Sequence, residues 1–176
     1  MTNELTLSAA ALRDAFDREF ANAPATGAAR GDDVLAIHCG GDPYGVRLAE
    51  VAGLHANLKI ERVPSPIPEL TGVAGLRGVL VPIYDLAALL GYSPCNGRWC
   101  LVARERSIGF AFDRFESHER LPPDAFSASD DAAGSRRVLV RGAVRVDHVI
   151  RPIIELAQAV ELVRQRTRAG SSRQER

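Results

Sequence analysis

The chain has 176 residues, room for one ordinary domain or two small, closely coupled halves. Lys plus Arg and Asp plus Glu both number 22, so the formal net charge is zero. That balance argues against a duplex-DNA binder, whose affinity comes from neutralising many phosphates, and against steering toward an acidic membrane.

Taken in chain order, residues 8–21 are expected to form a helix, with Ser8 as N-cap and Leu12, Phe16 and Phe20 recurring every fourth residue. Arg13–Asp17 and Asp14–Arg18 lie at i,i+4 on its polar face. Its apolar stripe packs on the body of the protein or makes an accessory contact with a partner through Phe16 and Phe20. The first 22 residues lack the basic start and long apolar stretch of a secretory signal, so a cytoplasmic location is expected. Ala23 to Asp33 reads as a linker. From Val34 the texture becomes short β-like runs. Val34–Cys39 and Tyr44–Val51 flank a Gly-Gly-Asp-Pro turn, and Leu58–Val63 leads into a proline-rich stretch, Pro64 to Pro68. Gly72–Gly75 and Val79–Ile83 flank Leu76-Arg77-Gly78, and Asp85–Leu90 reads as a short helix closed by Gly91. Trp99–Ala103, Ile108–Phe115, Val138–Val140 and Val144–Ile150 follow as strands. A last helix is expected from Pro152 at its first position, and the polar residues 166–176 as a disordered tail. Many short strands with regular turn signals predict a mainly β barrel or sandwich, divided as residues 1–30 (helix and linker), 31–165 (β domain) and 166–176 (tail).

The chain also echoes itself. At an offset of 64, Tyr44-Gly45-Val46 meets Ile108-Gly109-Phe110, Leu35 and Ile37 meet Trp99 and Leu101, and Arg77-Gly78 meets Arg141-Gly142. With six more residues inserted, Pro82-Ile83-Tyr84-Asp85-Leu86 meets Pro152-Ile153-Ile154-Glu155-Leu156. Two copies are too few for a solenoid but fit two similar small barrels that share a core.

Chemistry-bearing patterns are sparse. His38, His55, His118 and His148 are scattered, with no HExxH or other ligand spacing. His38–Cys39 and Asp147–His148 are expected to be strand neighbours on opposite faces, which rules out dyads, and Asp32-Asp33 and Asp130-Asp131 to be solvated loop acids. The three cysteines, Cys39, Cys95 and Cys100, have no CxxC spacing and read as reduced, packed thiols. Gly72 to Gly78 matches no phosphate-binding loop, and the only tryptophan, Trp99, lies in an apolar run expected in the core. No metal or cofactor is expected. What stands out is Pro64 to Leu86, a stiff segment followed by one charge, Arg77, between glycines that let another backbone approach. It reads either as a plain hairpin turn or as a rigid interaction edge.

The stretch Val63-Pro64-Ser-Pro66, Gly72-Val-Ala-Gly75-Leu76-Arg77-Gly78-Val79-Leu-Val-Pro82-Ile-Tyr-Asp85-Leu86 resembles the signature of the CheW-like domain family. Tyr44 to Val51 and Gly109 to Phe115 are similar to its flanking strands, so the likeness runs from about Val34 to Val163. It implies two small SH3-like β-barrels on a common core, here with a short internal and a C-terminal helix, to which the N-terminal helix with Phe16 and Phe20 is an addition. It further implies a non-catalytic scaffold that joins a CheA-type histidine kinase to the cytoplasmic tip of a chemoreceptor, without nucleic acid or membrane insertion. The interaction residues it implies are Arg77, Gly78, Val79, Gly75, Leu76, Pro66 and Glu69. The rivals are a diverged member that modulates or antagonises a non-flagellar chemosensory pathway, and a thiol-dependent enzyme using Cys95 or Cys100. Two positions depart from the family pattern: Gly75 stands where asparagine is usual, and Gly53 where an acid is usual.

Overall fold

A computed structural model describes residues 31–95, 97–104, 108–128 and 136–174. The expected N-terminal helix, with Phe16 and Phe20, lies outside them, as do Asp130 and Asp131. The described elements are β1 (Asp32–Cys39), β2 (Asp42–Arg47), β3 (Val51–Ala56), β4 (Leu70–Leu76), β5 (Val79–Asp85), α1 (Leu86–Leu89), β6 (Trp99–Ala103), β7 (Gly109–Phe112), β8 (Arg114–Leu121), β9 (Phe126–Ser127), α2 (Arg136–Leu139), β10 (Val140–Val146), β11 (Val149–Ile154) and α3 (Leu156–Gln174).

The strands form two sheets, in the orders β8-β1-β2-β11-β10-β9 and β3-β6-β7-β5-β4. The internal echo explains both. Strands β1, β2 and β3 correspond to β6, β7 and β8 at the offset of 64, and β4 and β5 to β10 and β11 at 70. Exchanging every strand for its counterpart turns one order into the other, apart from the added β9. Leaving β9 aside, each sheet therefore takes two strands from one half of the chain and three from the other. Four pairings join the halves: the antiparallel β1–β8 and β3–β6, and the parallel β5–β7 and β11–β2, which set Ile83 beside Gly109 and Ile153 beside Gly45. Both positions leave little room for a side chain: a Cβ on Gly109 would stand 2.4 Å from Ile83 Cδ1, and one on Gly45 a tight 3.0 Å from Val144 Cγ1.

Both sheets are curled. Strands β8 and β11 are three places apart, about 14 Å in a flat sheet. Yet Arg151 Nη2 reaches Glu116 Oε1 at 2.9 Å, and the Arg47 guanidinium lies 5.6 Å from the Phe126 ring across the same sheet. Inside the first curl Val34, Ala36, Val144, Val146 and Ile153 form a small core, and inside the second Ala74, Val81, Ile83, Cys100 and Ala111 form its counterpart. A third and larger core lies between the sheets. It joins Leu35, Ile37 and Val46 from one sheet with Leu101, Phe110 and Phe112 from the other, covered by Leu86, Leu156 and Val160 of α1 and α3. Strand alternation sends β1 into two cores at once, since Val34 and Ala36 face one and Leu35 and Ile37 the other. The hydrogen bonds among the described strands close neither curl into a full barrel.

Several expectations need correction. Tyr44–Val51 is broken by a 3₁₀ turn at Leu48–Glu50, after which β3 begins. Leu58–Val63 forms only one isolated bridge, Glu61 with Val73, because the prolines that follow remove ladder donors. Ile108–Phe115 divides into β7 and β8, Val138 and Leu139 end the short helix α2 while Val140 opens β10, and Val144–Ile150 is a hairpin rather than one strand. Pro152 lies inside β11, the counterpart of Pro82 in β5; α3 starts at Leu156, where Glu50 Oε2 accepts from the amides of Leu156 (2.6 Å) and Ala157 (3.3 Å). Residues 166–174, expected as a disordered tail, continue α3; Arg166 ion-pairs with Glu69 and Thr167 Oγ1 donates to the Val163 carbonyl. Arg141-Gly142 marks a bulge in β10 and is not the counterpart of the Arg77-Gly78 turn. Asp32 and Asp33 belong to β1, where Asp33 pairs with Arg120 (2.8 Å) and His118 (3.1 Å).

Because the halves share one core, they should unfold together. Phe110→Ala is expected to cost about 3–5 kcal/mol. In urea, Trp99 fluorescence and far-UV circular dichroism should still follow one coincident transition; two separate transitions would show that the halves are independent.

Candidate functional site

The β4–β5 hairpin carries most of the residues singled out in the sequence. Its turn is Arg77-Gly78, with φ of 50° and 82°, the positive pair that tight hairpins of right-handed twist require. Arg77 is exposed and has no hydrogen-bond or ion-pair partner among the described residues. Gly75 has open space where a side chain would stand, and Leu76 packs half-buried against the core of its curl. Beyond the turn, Val79 is 55% and Leu80 73% exposed. Gly75, Leu76, Arg77, Gly78 and Val79 are thus one continuous tip.

Pro66 and Glu69 are not part of it. They precede β4, whose seven residues set them about 20 Å or more from the turn. Pro66 is exposed, while Ile67 beside it is buried. The Glu69 side chain is only 12% exposed and turned inward to Arg166 of α3, and its backbone carbonyl accepts from the Asp85 amide at 2.8 Å. Glu69 anchors the base of the hairpin.

The internal repeat supplies a second tip that sequence reasoning missed. In the β10–β11 hairpin the turn is Asp147-His148, with φ of 45° and 66°. The residues after it, Val149 and Ile150, are 41% and 62% exposed. They stand 70 places beyond Val79 and Leu80, the same offset that relates Pro82 to Pro152. Extending that match three residues toward the N-terminus would have found them. The two tips share their shape and apolar pair but differ in charge, with a cation at Arg77 and an anion at Asp147.

The reactive side chains are occupied in structural bonds. Asp85 is 4% exposed and caps α1; its Oδ1 accepts from the Ala88 amide at 2.9 Å and its Oδ2 from the Cys95 amide at 2.7 Å. Burial pushes the Cys100 thiol up to about 12 and also raises Cys39 and Cys95, which disfavours the thiolate a nucleophile needs. His38 and Cys39 do face opposite ways: Cys39 is in the shared core, and His38 Nε2 contacts Glu116 Oε2 at 2.6 Å and Arg114 Nη2 at 2.8 Å. The hydrogen bond from His38 and the pairing with Arg151 hold the Glu116 carboxyl below its ordinary range. Asp147 and His148 are turn residues rather than strand neighbours. Trp99 is half-buried, its ring 5.4 Å from that of Phe115, joining the two sheets. Among the described residues no group of three or more His, Cys, Asp or Glu is placed to hold a metal ion, and no helix is long and apolar enough to cross a membrane. Clefts of about 220 Å³ beside Trp99 and 80 Å³ beside Glu50 fall below the roughly 300 Å³ at which small-molecule sites begin.

The profile of the CheW-like domain family matches residues 33–164, and the chain belongs to that family. Among solved structures the chain is similar to the scaffolding protein TtCheW from Thermoanaerobacter tengcongensis, with a TM-score of 0.64 and 15% identity. The likeness covers 71% of this chain and 89% of that one, and at this identity it speaks for the fold. No curated protein sequence matches the chain.

If the thiols are packing groups, iodoacetamide at pH 8 should alkylate each of them about a hundredfold or more slowly than a free cysteine. A thiol labelled at the free-cysteine rate would restore the case for a thiol-dependent enzyme.

Proposed function

We propose that this protein is a non-catalytic, cytoplasmic adaptor that couples a CheA-type histidine kinase to the cytoplasmic tip of a chemoreceptor, through two repeat-related hairpin tips on two small barrel-like halves. Membership in the CheW-like family supports the scaffold role. The observation that carries the reading is the pair of tips, Gly75 to Leu80 and Asp147 to Ile150, each presenting two exposed aliphatic side chains beside one charged turn residue. A protein that joins two others needs two separated surfaces, and a folded repeat supplies them from one design.

Such tips suit transient association. They bury modest area, and the binding energy rests on a few apolar anchors with a charge at the rim. Neither a perturbed pKa nor a cofactor is required. Arg77 fits the rim role because nothing among the described residues engages it. Pro66 remains an exposed neighbouring position, and Phe16 and Phe20 are proposed as accessory contacts.

Arg77→Glu is expected to leave the melting temperature within about 2 °C, since an exposed turn residue carries little stability. Affinity for the regulatory domain of a CheA-type kinase should fall about tenfold or more, equivalent to roughly 1.4 kcal/mol. Unchanged binding of both kinase and receptor by this variant would remove Arg77 from the docking surface.

A further inference from the structure

The two tips are held to the body by different forces. Next to β2, the strand β11 is paired only at Ile153 and Ile154, so its outer half, Val149 to Arg151, is hydrogen-bonded to β10 alone. The outer half of β5 projects in the same way beyond its first pair with β7, at Ile83. Behind the exposed pair of the first tip sits Val81, 4% exposed and packed with Ala74 and Ile83. Seventy residues on, behind the exposed pair of the second tip, the same place is taken by Arg151, 2% exposed.

An arginine is a costly choice there. Its Nη2 donates to Glu116 Oε1 at 2.9 Å, but its Nε and Nη1 are buried without any partner. Unsatisfied buried donors destabilise, and a well-packed aliphatic residue would serve stability better, as Val81 does in the other half. What arginine adds is direction. Glu116 is the extra residue of a bulge in β8, and from this exposed position its carboxylate reaches both the buried Arg151 and His38 of β1. A charge-assisted hydrogen bond fixes distance and angle in a way that aliphatic packing does not.

We infer that Arg151 is the positioning residue of the second docking tip: through Glu116 it ties the outer half of β11 to β8 and β1, and so sets the pose in which Val149 and Ile150 meet a partner. The partner rests on the adaptor reading above, whereas the brace is a property of the free chain. The first tip is set by apolar packing and the second by an ion pair, so salt should loosen the second alone.

Hydrogen exchange on the free, full-length chain tests the brace, with Arg151→Val, Glu116→Ala and the double variant. The valine has a precedent in Val81 and should fold. In each variant the amides of Arg145, Val146, Val149 and Ile150 should exchange about fivefold or more faster, while those of Leu80, Leu101 and Phe110 keep the parent rate. The double variant should be no faster than the faster single, because both changes cut the same tie, and Arg151→Lys should restore part of the protection. Unchanged exchange at the second tip, or an equal rise at both tips and the core, would overturn the inference. Titration with the regulatory domain of a CheA-type kinase separates the two readings. If the parent does not bind it, the adaptor reading fails while the exchange result stands.

Discussion

The fold depends on the strand pairings that cross between the halves, the antiparallel β1–β8 and β3–β6 and the parallel pairs that set Ile83 beside Gly109 and Ile153 beside Gly45. Each joins a late strand of one half to an early strand of the other, so neither half can complete a sheet alone. At Gly109 the partner isoleucine lies where a side chain would stand, and at Gly45 Val144 and Val34 crowd the same place. Once the halves are exchanged in this way, one face of each sheet necessarily contributes to a single core between them, and the other face to its own small core. Interleaving also fixes where the hairpins project. A strand held by its parallel neighbour only at its inner end must carry its outer end, and the turn before it, clear of the sheet.

That geometry suits docking better than chemistry. The side chains best able to react serve the frame: Asp85 caps a helix, Cys39 and Cys100 are packed in apolar surroundings, and Glu116 braces a strand. The exposed apolar area is concentrated at the tips instead. Repetition then departs from symmetry in two places that bear on partner choice. Arg77 faces Asp147 across the repeat, and Val81 faces Arg151. Two surfaces with one shape, opposite charge and different stiffness are what an adaptor for two unlike proteins would use.

Much of this was legible in the residues. The run from Pro64 to Leu86 carries a dense motif because one segment must form a strand, a positive-φ turn, a second strand and a helix cap in quick succession. The internal echo was visible because Gly45, Gly109 and the two Pro-Ile pairs answer to the same steric demand. The second tip was hidden because its turn residues, Asp147 and His148, are neither glycine nor asparagine and look like part of one long strand. Strand β8 was cut short because its residues alternate charged and half-buried along a sheet edge, and β3 because Gly53 and His55 interrupt its apolar pattern. Pro66 and Glu69 were grouped with Arg77 by closeness in sequence, while the length of β4 carries them to opposite ends of the hairpin. The helical run to Gln174 was hidden because residues 166–174 are polar, and the contact that ties this run to the body, Arg166 with Glu69, joins positions far apart in sequence.

The central claim is that two hairpin tips on a shared-core body are the working surfaces of this protein. The most direct measurement is an amide chemical-shift map of the labelled chain titrated with the regulatory domain of a CheA-type kinase. The account predicts that the perturbed residues gather at one tip or both, Gly75 to Leu80 and Asp147 to Ile150, with Asp85, Cys95 and Cys100 unmoved. Perturbations centred on the latter group, or spread across the outer faces of α3 with both tips silent, would contradict it.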